Sequence, residues 1–284
     1  MKTDIVETPK RSASAELVVG MPFDKYVAAP GLNWSTLKHL RESPKHFRHA
    51  QTAPREDSRA LRVGRLSHTL ALEPELFTSA YAVWKGRRSG KEWEAFEASA
   101  TAAGKDVITE PELNAASGVA AGIGSHPEAS RIVSKATHVE ASVFWDKGAR
   151  ALKARLDLVS DGCVVDIKTA SNADPRTFAG QFARLGYHMQ LAWYCDAMAE
   201  VTGREHGAQV ICVESTAPND VIVYDVPGVV LDRGREENAM LLDMLDRCEA
   251  SGEWPGRFQG VTNLEFPEWA LGNGLGITIG GEGF

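Results

Sequence analysis

Two aspartates and a lysine, Asp157, Asp166 and Lys168, stand out because a short hairpin would bring them together. Asp161-Gly162 is a dipeptide favoured in two-residue type I′ turns, whose central residues both need positive φ. A hairpin closed there opposes Ser160 to Cys163, Val159 to Val164, Leu158 to Val165, Asp157 to Asp166, Leu156 to Ile167 and Arg155 to Lys168. Alternation with a period of two then gathers Leu156, Leu158, Val165 and Ile167 on one apolar face and leaves the aspartates side by side on the other, next to the lysine. Directly opposed side chains have Cβ atoms ~5 Å apart, and two carboxylates at that distance repel by about 3 kcal/mol at an effective dielectric of roughly 20. A hard divalent cation between them reverses the sign, since Mg²⁺ takes one or two carboxylates together with water and phosphate oxygens. Lys168 then lies where its ammonium could orient or activate a water. A solvated strand face of surface ion pairs, each worth little, fits the same register.

The elements that must hold this hairpin can be read from periodicity and caps. Residues 1–19 are polar and aperiodic and read as a mobile arm. Asn33 or Ser35 can cap a helix through Leu37 and Leu40, which Ser43-Pro44 stops. A second helix is expected over 58–72, ended by Glu73-Pro74, and others over 92–103, 110–123 and 127–134. From Thr137 the texture changes to alternating strand formers. Strands are expected at 138–145, 151–159 and 163–169, helices at 174–185 and 187–201, strands at 209–214 and 221–226, and a long helix from 229 to about 250. The Gly-rich stretch 270–284 reads as a flexible tail. The predicted class is α/β (α+β), one domain over 20–269 with a helical N-terminal half followed by a strand-strand-strand-helix-strand core.

The composition, 284 residues with 43% hydrophobic and 24% charged, is that of an ordinary folded chain and argues against disorder. A net charge of −7 argues against a broad DNA-coating surface, while leaving room for a local basic groove. No apolar run approaches the ~20 residues that span a bilayer. The start lacks the apolar stretch of a secretory leader, so no membrane and a cytoplasmic location are expected. Cys163, Cys195, Cys212 and Cys248 are scattered without a Cys-x-x-Cys pair, which fits buried thiols and offers no iron–sulfur or zinc set.

The basic stretch Lys85-Gly-Arg-Arg-Ser-Gly-Lys91 departs from a phosphate loop in spacing and in lacking Ser or Thr after the lysine, so an NTPase is not expected. Arg87, Arg88 and Lys91 suit a loop that grips DNA phosphates, or one that is simply solvated. Tyr187, Gln190 and Tyr194 share a helix face, which an aromatic stripe packed on the sheet would also explain, except that Gln190 is an odd core choice. Glu140, on the strand before the hairpin, could assist the site, although a solvated strand glutamate is the commoner case. His68 by itself reads as a packed or surface histidine, and His39, His46 and His49 as surface.

The run Lys153-Ala-Arg-Leu-Asp-Leu-Val159 followed by Val164-Val-Asp-Ile-Lys-Thr-Ala170 resembles the bipartite Asp…Asp-x-Lys signature of the PD-(D/E)XK nuclease superfamily. The segments 33–47 (NWSTLKHLRESPKHF), 64–68 (GRLSH), 187–194 (YHMQLAWY) and 251–256 (SGEWPG) are similar, in the same order, to the exodeoxyribonuclease VIII (RecE-like) family. The resemblance spans roughly 33–269. It implies an αβββαβ core and Mg²⁺- or Mn²⁺-dependent hydrolysis of DNA phosphodiesters. It implies metal ligation by His68, Asp157, Asp166 and the Ile167 carbonyl, with Lys168 as the catalytic lysine and Gln190 and Tyr194 as its Gln-x-x-x-Tyr helix pair. Many relatives carry Glu-x-Lys where this chain has Asp-x-Lys, and both supply a carboxylate. The family further implies 5′-to-3′ digestion of duplex ends for recombination, a homo-oligomer and a single-strand annealing partner. A structure-specific endonuclease with the same site, or a non-catalytic DNA-binding recombination accessory, are the alternatives.

Overall fold

The computed structural model describes residues 15–53, 57–267 and 270. In chain order its elements are β1 (Glu16–Val18), α1 (Phe23–Ala28), α2 (Trp34–Leu37), α3 (Pro44–Thr52), α4 (Arg59–Leu72), α5 (Phe77–Ala80), β2 (Tyr81–Trp84), α6 (Lys91–Ala102), β3 (Asp106–Thr109), α7 (Glu110–Ser125), α8 (Pro127–Ser134), β4 (His138–Lys147), β5 (Arg150–Ser160), β6 (Cys163–Ala170), α9 (Pro175–Leu185), α10 (Tyr187–Thr202), β7 (Gly207–Glu214), β8 (Val221–Val226) and α11 (Gly228–Ser251). Local chemistry sets many of these boundaries. Ser58 caps α4 by accepting from the Leu61 N–H, Asn33 caps α2, and Ser43 caps α3 with Pro44 in its first turn. Ser43-Pro44, read as a stop, is thus also a start.

The main sheet runs β1-β4-β5-β6-β7-β8 and is antiparallel except for β6 against β7. A parallel pair needs a crossover, which α9 and α10 provide. One face packs Ala154, Leu156, Val164, Val210 and Cys212 against Leu191 and Trp193 of α10 and Leu245 of α11. The other packs Leu158, Val165, Ile167, Ile211 and Val213 against Val119 and Ile123 of α7 and Ala129 and Ile132 of α8. Outside the sheet, α4 and α7 meet a small parallel pair, β2 with β3, through Leu66, Ile108 and Ala116. That pair went unread in the sequence, as did α1 and α3, because four-residue strands and short helices carry too few periods to register.

Several expectations need correction. The end of the polar arm is a strand, since β1 pairs with β4; residues 1–14 and 271–284 lie outside the described residues. The hairpin at Asp161-Gly162 closes with the expected pairs Ser160–Cys163, Val159–Val164 and Leu158–Val165. Its turn is not type I′, because Gly162 has φ 72° while Glu140 and Asn219 alone among the described non-glycine residues have positive φ. Loop length, not turn type, therefore holds the register. The ladder stops at Leu158–Val165, and Asp157 and Asp166 are not a ladder pair. Leu156 does not join the face of Leu158. Along β5, Leu152, Ala154 and Leu156 pack toward α10, Leu158 packs toward α7 and α8, and Val159 returns to the first side. The alternation breaks at Asp157.

Candidate metal centre

The break has a counterpart on the neighbouring strand. Glu140 in β4 holds φ 45°, a left-handed conformation rare for a glutamate. Val139–Leu158 and Ala141–Leu156 are registered pairs, and Glu140 and Asp157 between them are not. Two strands thus lose one rung at the same level, and both side chains freed there are acids. Such local strain costs on the order of 1–3 kcal/mol and gathers at functional sites.

Five elements, α4, β4, β5, β6 and α10, converge on this gap. α4 brings His68, whose Nδ1 lies 3.6 Å from Glu140 Oε1 and 3.5 Å from Asp157 Oδ1. The ligand atoms of His68, Glu140 and Asp157 all lie within 4.8 Å of one another. Asp157 spends its second oxygen on the Ile167 N–H at 2.8 Å, bridging the fork where β5 leaves β6. β6 contributes Asp166, 1% exposed, and Lys168, whose Nζ lies 2.5 Å from Asp166 Oδ2 and 4.7 Å from the Tyr187 ring centroid. That close ion pair engages the buried Asp166 Oδ2. From α10, the Gln190 amide donates to Tyr194 Oη at 2.7 Å.

The electrostatics are those of acids in excess. Burial works against the His68 imidazolium, yet Asp157 and Glu140, with Asp166 behind them, raise its pKa to about 9. Burial lifts the Asp157 carboxyl to about 7; His68 and Lys168 oppose the rise, and Asp166 and Glu140 reinforce it. Burial would also lift Glu140, but His68 and Arg155 hold it below the ordinary glutamate value. Burial penalises the Lys168 ammonium, and Asp166 and Asp157 outweigh that penalty. Burial and the same two aspartates push the Tyr194 phenol well above its ordinary value, so it stays neutral.

A cation fits this donor set. His68, Glu140 and Asp157 offer one nitrogen and carboxylate oxygens at a spacing one ion can bridge, and Asp166 adds a buried oxygen with unused capacity. Glu140 is the residue the sequence reading set aside as solvated; its side chain is 19% exposed and pairs with Arg155 at 2.8 Å. Counting back from the Lys147–Arg150 turn would have found it, since that register carries Glu140 opposite Asp157. Arg155 in turn is not beside Lys168. It binds Glu140 and the Met21 carbonyl, because the break at Asp157 turns it to the other side of the sheet.

The basic stretch divides. Arg88 is held by Glu112 Oε2 at 3.2 Å, the Val107 carbonyl at 3.1 Å and the Trp93 ring, and Lys85 pairs with Glu110. Arg87 and Lys91 are exposed.

A family model described as a PDDEXK-like domain of unknown function (DUF3799) matches residues 33–264. A solved structure from Eubacterium rectale, described as a "putative exonuclease", is similar with a TM-score of 0.61 at 13% identity, covering 91% of this chain and 100% of that one. At that identity the likeness speaks for the fold. A second solved structure, SSO0001, shares 16% identity over 63% of this chain and 86% of that one, with a TM-score of 0.28, too low to carry weight. No curated protein matches the sequence. The mixed sheet with its α9–α10 crossover is the αβββαβ PD-(D/E)XK core, and with the family match spanning most of its length the chain belongs to the PDDEXK-like family DUF3799.

Proposed function

We propose that the protein is a divalent-metal-dependent nuclease that hydrolyses DNA phosphodiesters as an exonuclease on duplex ends. The observation that carries this is the meeting of His68, Glu140 and Asp157 beside a buried Asp166 that is ion-paired with Lys168. His68, Glu140, Asp157 and Asp166 would hold the ion, and the family resemblance adds the Ile167 carbonyl. When bound, Mg²⁺ or Mn²⁺ supplies Lewis acidity toward water and phosphate. Lys168 keeps a full positive charge beside the reacting phosphate and offsets the negative charge that develops there. Gln190 holds the Tyr194 phenol, which stays protonated next to the two aspartates. The resemblance to exodeoxyribonuclease VIII supports 5′-to-3′ polarity, a homo-oligomer, a single-strand annealing partner and a role in recombination.

The test is digestion of linear and covalently closed circular DNA by the purified chain with Mg²⁺, with Mn²⁺ and with EDTA. The exonuclease reading expects metal-dependent loss of the linear form alone. Cleavage of the circle makes it an endonuclease, and no hydrolysis with either metal overturns the nuclease reading in favour of a DNA-binding accessory.

A further inference from the structure

Two cations on β5, Lys153 and Arg155, reach into the chain segment that holds β1 and α1. Lys153, 4% exposed, donates from Nζ to the carbonyls of Tyr26, Val27 and Ala29 at 2.9, 3.1 and 2.6 Å, which closes the end of α1. Arg155 divides its guanidinium between that segment and the metal centre. Its Nη1 donates to the Met21 carbonyl at 2.7 Å and to the hydroxyl of the buried Ser142 at 3.2 Å, and its Cζ lies 5.9 Å from the Phe23 ring centroid. Its Nε donates to Glu140 Oε2 at 2.8 Å. At the start of the same segment Val18 pairs with Ser142, which on its other side pairs with Arg155. Residues 16–29 are therefore a strap laid on β4 and β5, and Arg155 stands where the strap meets the site.

Glu140 needs such an anchor. Its backbone is left-handed at φ 45°, and the ladder pairs Val139 and Ala141 while passing over it. A glutamate carboxylate also hangs on a side chain with much rotamer freedom to lose. Arg155 takes Oε2 and so leaves Oε1 turned toward His68 Nδ1, 3.6 Å away, on the side of the gap where the ligand atoms gather. A guanidinium suits this task because its donors form a rigid fork, which spans Glu140, Ser142 and Met21 together. An ammonium is a point donor on a flexible stem and cannot hold the three in one fixed geometry.

We propose that Arg155 is a positioning residue for the divalent cation: it fixes Glu140 as a ligand by bolting that carboxylate to the strap at Met21. The strap thereby becomes part of the metal centre's support, although none of its own side chains ligates the ion. This rests on the cation site of the nuclease reading, but not on hydrolysis.

The experiment is calorimetric titration of the full chain with Mn²⁺ at pH 8, with melting temperatures in EDTA alongside. Arg155→Gln and Arg155→Lys should each weaken Mn²⁺ binding roughly tenfold, since both lose the fork and only the lysine keeps the charge. Glu140→Ala removes the ligand through which Arg155 acts, so adding Arg155→Lys to it should cost no further affinity. Arg62→Lys breaks a comparable fork, on Glu112 outside the metal centre, and should lower the melting temperature while leaving Mn²⁺ affinity unchanged. Binding by Arg155→Lys within about twofold of wild type overturns the positioning role and leaves Arg155 a clamp on the strap. A loss that adds in full to that of Glu140→Ala overturns it too, as does an equal loss in Arg62→Lys, which would trace the effect to lowered stability. If wild type binds Mn²⁺ but hydrolyses no DNA, the nuclease reading falls and the positioning role stands; if wild type binds no Mn²⁺, the metal centre and the role fall together.

Discussion

Two buried acidic groups in this molecule have opposite bookkeeping. Glu112 at the start of α7 is 2% exposed and accepts from five donors: the Thr109 N–H and hydroxyl, Nε and Nη2 of Arg62, and Nη2 of Arg88. Burial alone would raise its pKa; the Thr109 and Arg62 hydrogen bonds lower it instead. At the candidate metal centre three carboxylates share one histidine, one lysine and Arg155, and Asp157 is still raised to about 7. A carboxylate that serves the fold comes with its donors. A set short of donors has room for a cation.

The largest effect should come from Asp157→Asn. The amide oxygen can still accept from the Ile167 N–H, so the fork persists while the anionic ligand is gone. Hydrolysis should fall by about a hundredfold or more, and the melting temperature in EDTA at pH 8 should rise. Retained activity would break the contrast on the metal side. Glu112→Ala should do the reverse, costing about 3–5 kcal/mol because Arg62 and Arg88 lose a buried partner, with activity per folded molecule preserved. Equal loss of activity and stability would merge the two groups into one.

The pH dependence of metal-free stability sharpens the comparison. Asp157 is raised from 3.8 to about 7 in the fold, so its ionisation removes stability as pH climbs through that interval. His68 is raised from 6.5 to about 9, so its contribution is complete below 6.5 and disappears as pH rises through 9. Glu112 is lowered, so its contribution is present above 4.5 and is lost on acidification. Melting temperatures in EDTA should therefore fall from about pH 4 to pH 9, with a separate loss at the acid end, and saturating Mg²⁺ should flatten only the neutral-to-alkaline slope. A flat profile in EDTA would contradict the strained acid set. The smallest effect expected is that of His68→Ala, whose partly buried ring is a modest contributor to packing. The divalent concentration for half-maximal activity should rise roughly tenfold, with little change in stability in EDTA above pH 9, where the wild-type imidazole is already neutral. A large stability loss with unaltered metal dependence would make His68 structural.

Much of this was legible before any coordinates. Caps and breakers set α4 almost to the residue, with Ser58 before it and Glu73-Pro74 after it. The hairpin register followed from the two-residue turn at Asp161-Gly162. What alternation could not reveal was its own interruption. A left-handed Glu140 and a displaced Asp157 have no signature in residue type, because glutamate and aspartate adopt those conformations only when the surroundings impose them. The loss of face at Leu156, the reassignment of Arg155 and the arrival of Glu140 all follow from that one break. The partner of Arg88, Glu112, was not legible for the related reason that it lies distant in sequence.

The bond from the Ile167 N–H to the Asp157 carboxylate ties ligand spacing to loop length. A side chain there stands in for a rung of the main chain, so the distance between the acids is gauged by the number of residues from Asp157 round the turn to Ile167. Adding one residue between Ser160 and Cys163 would turn every side chain on one strand to the opposite face and disengage the acids from each other. Asp161 itself is 83% exposed, linked only to Arg204 at the surface, and can vary in identity at little cost. Among proteins sharing this site, the turn should tolerate almost any spelling but very few lengths, and libraries that randomise its letters should survive where libraries that stretch it do not.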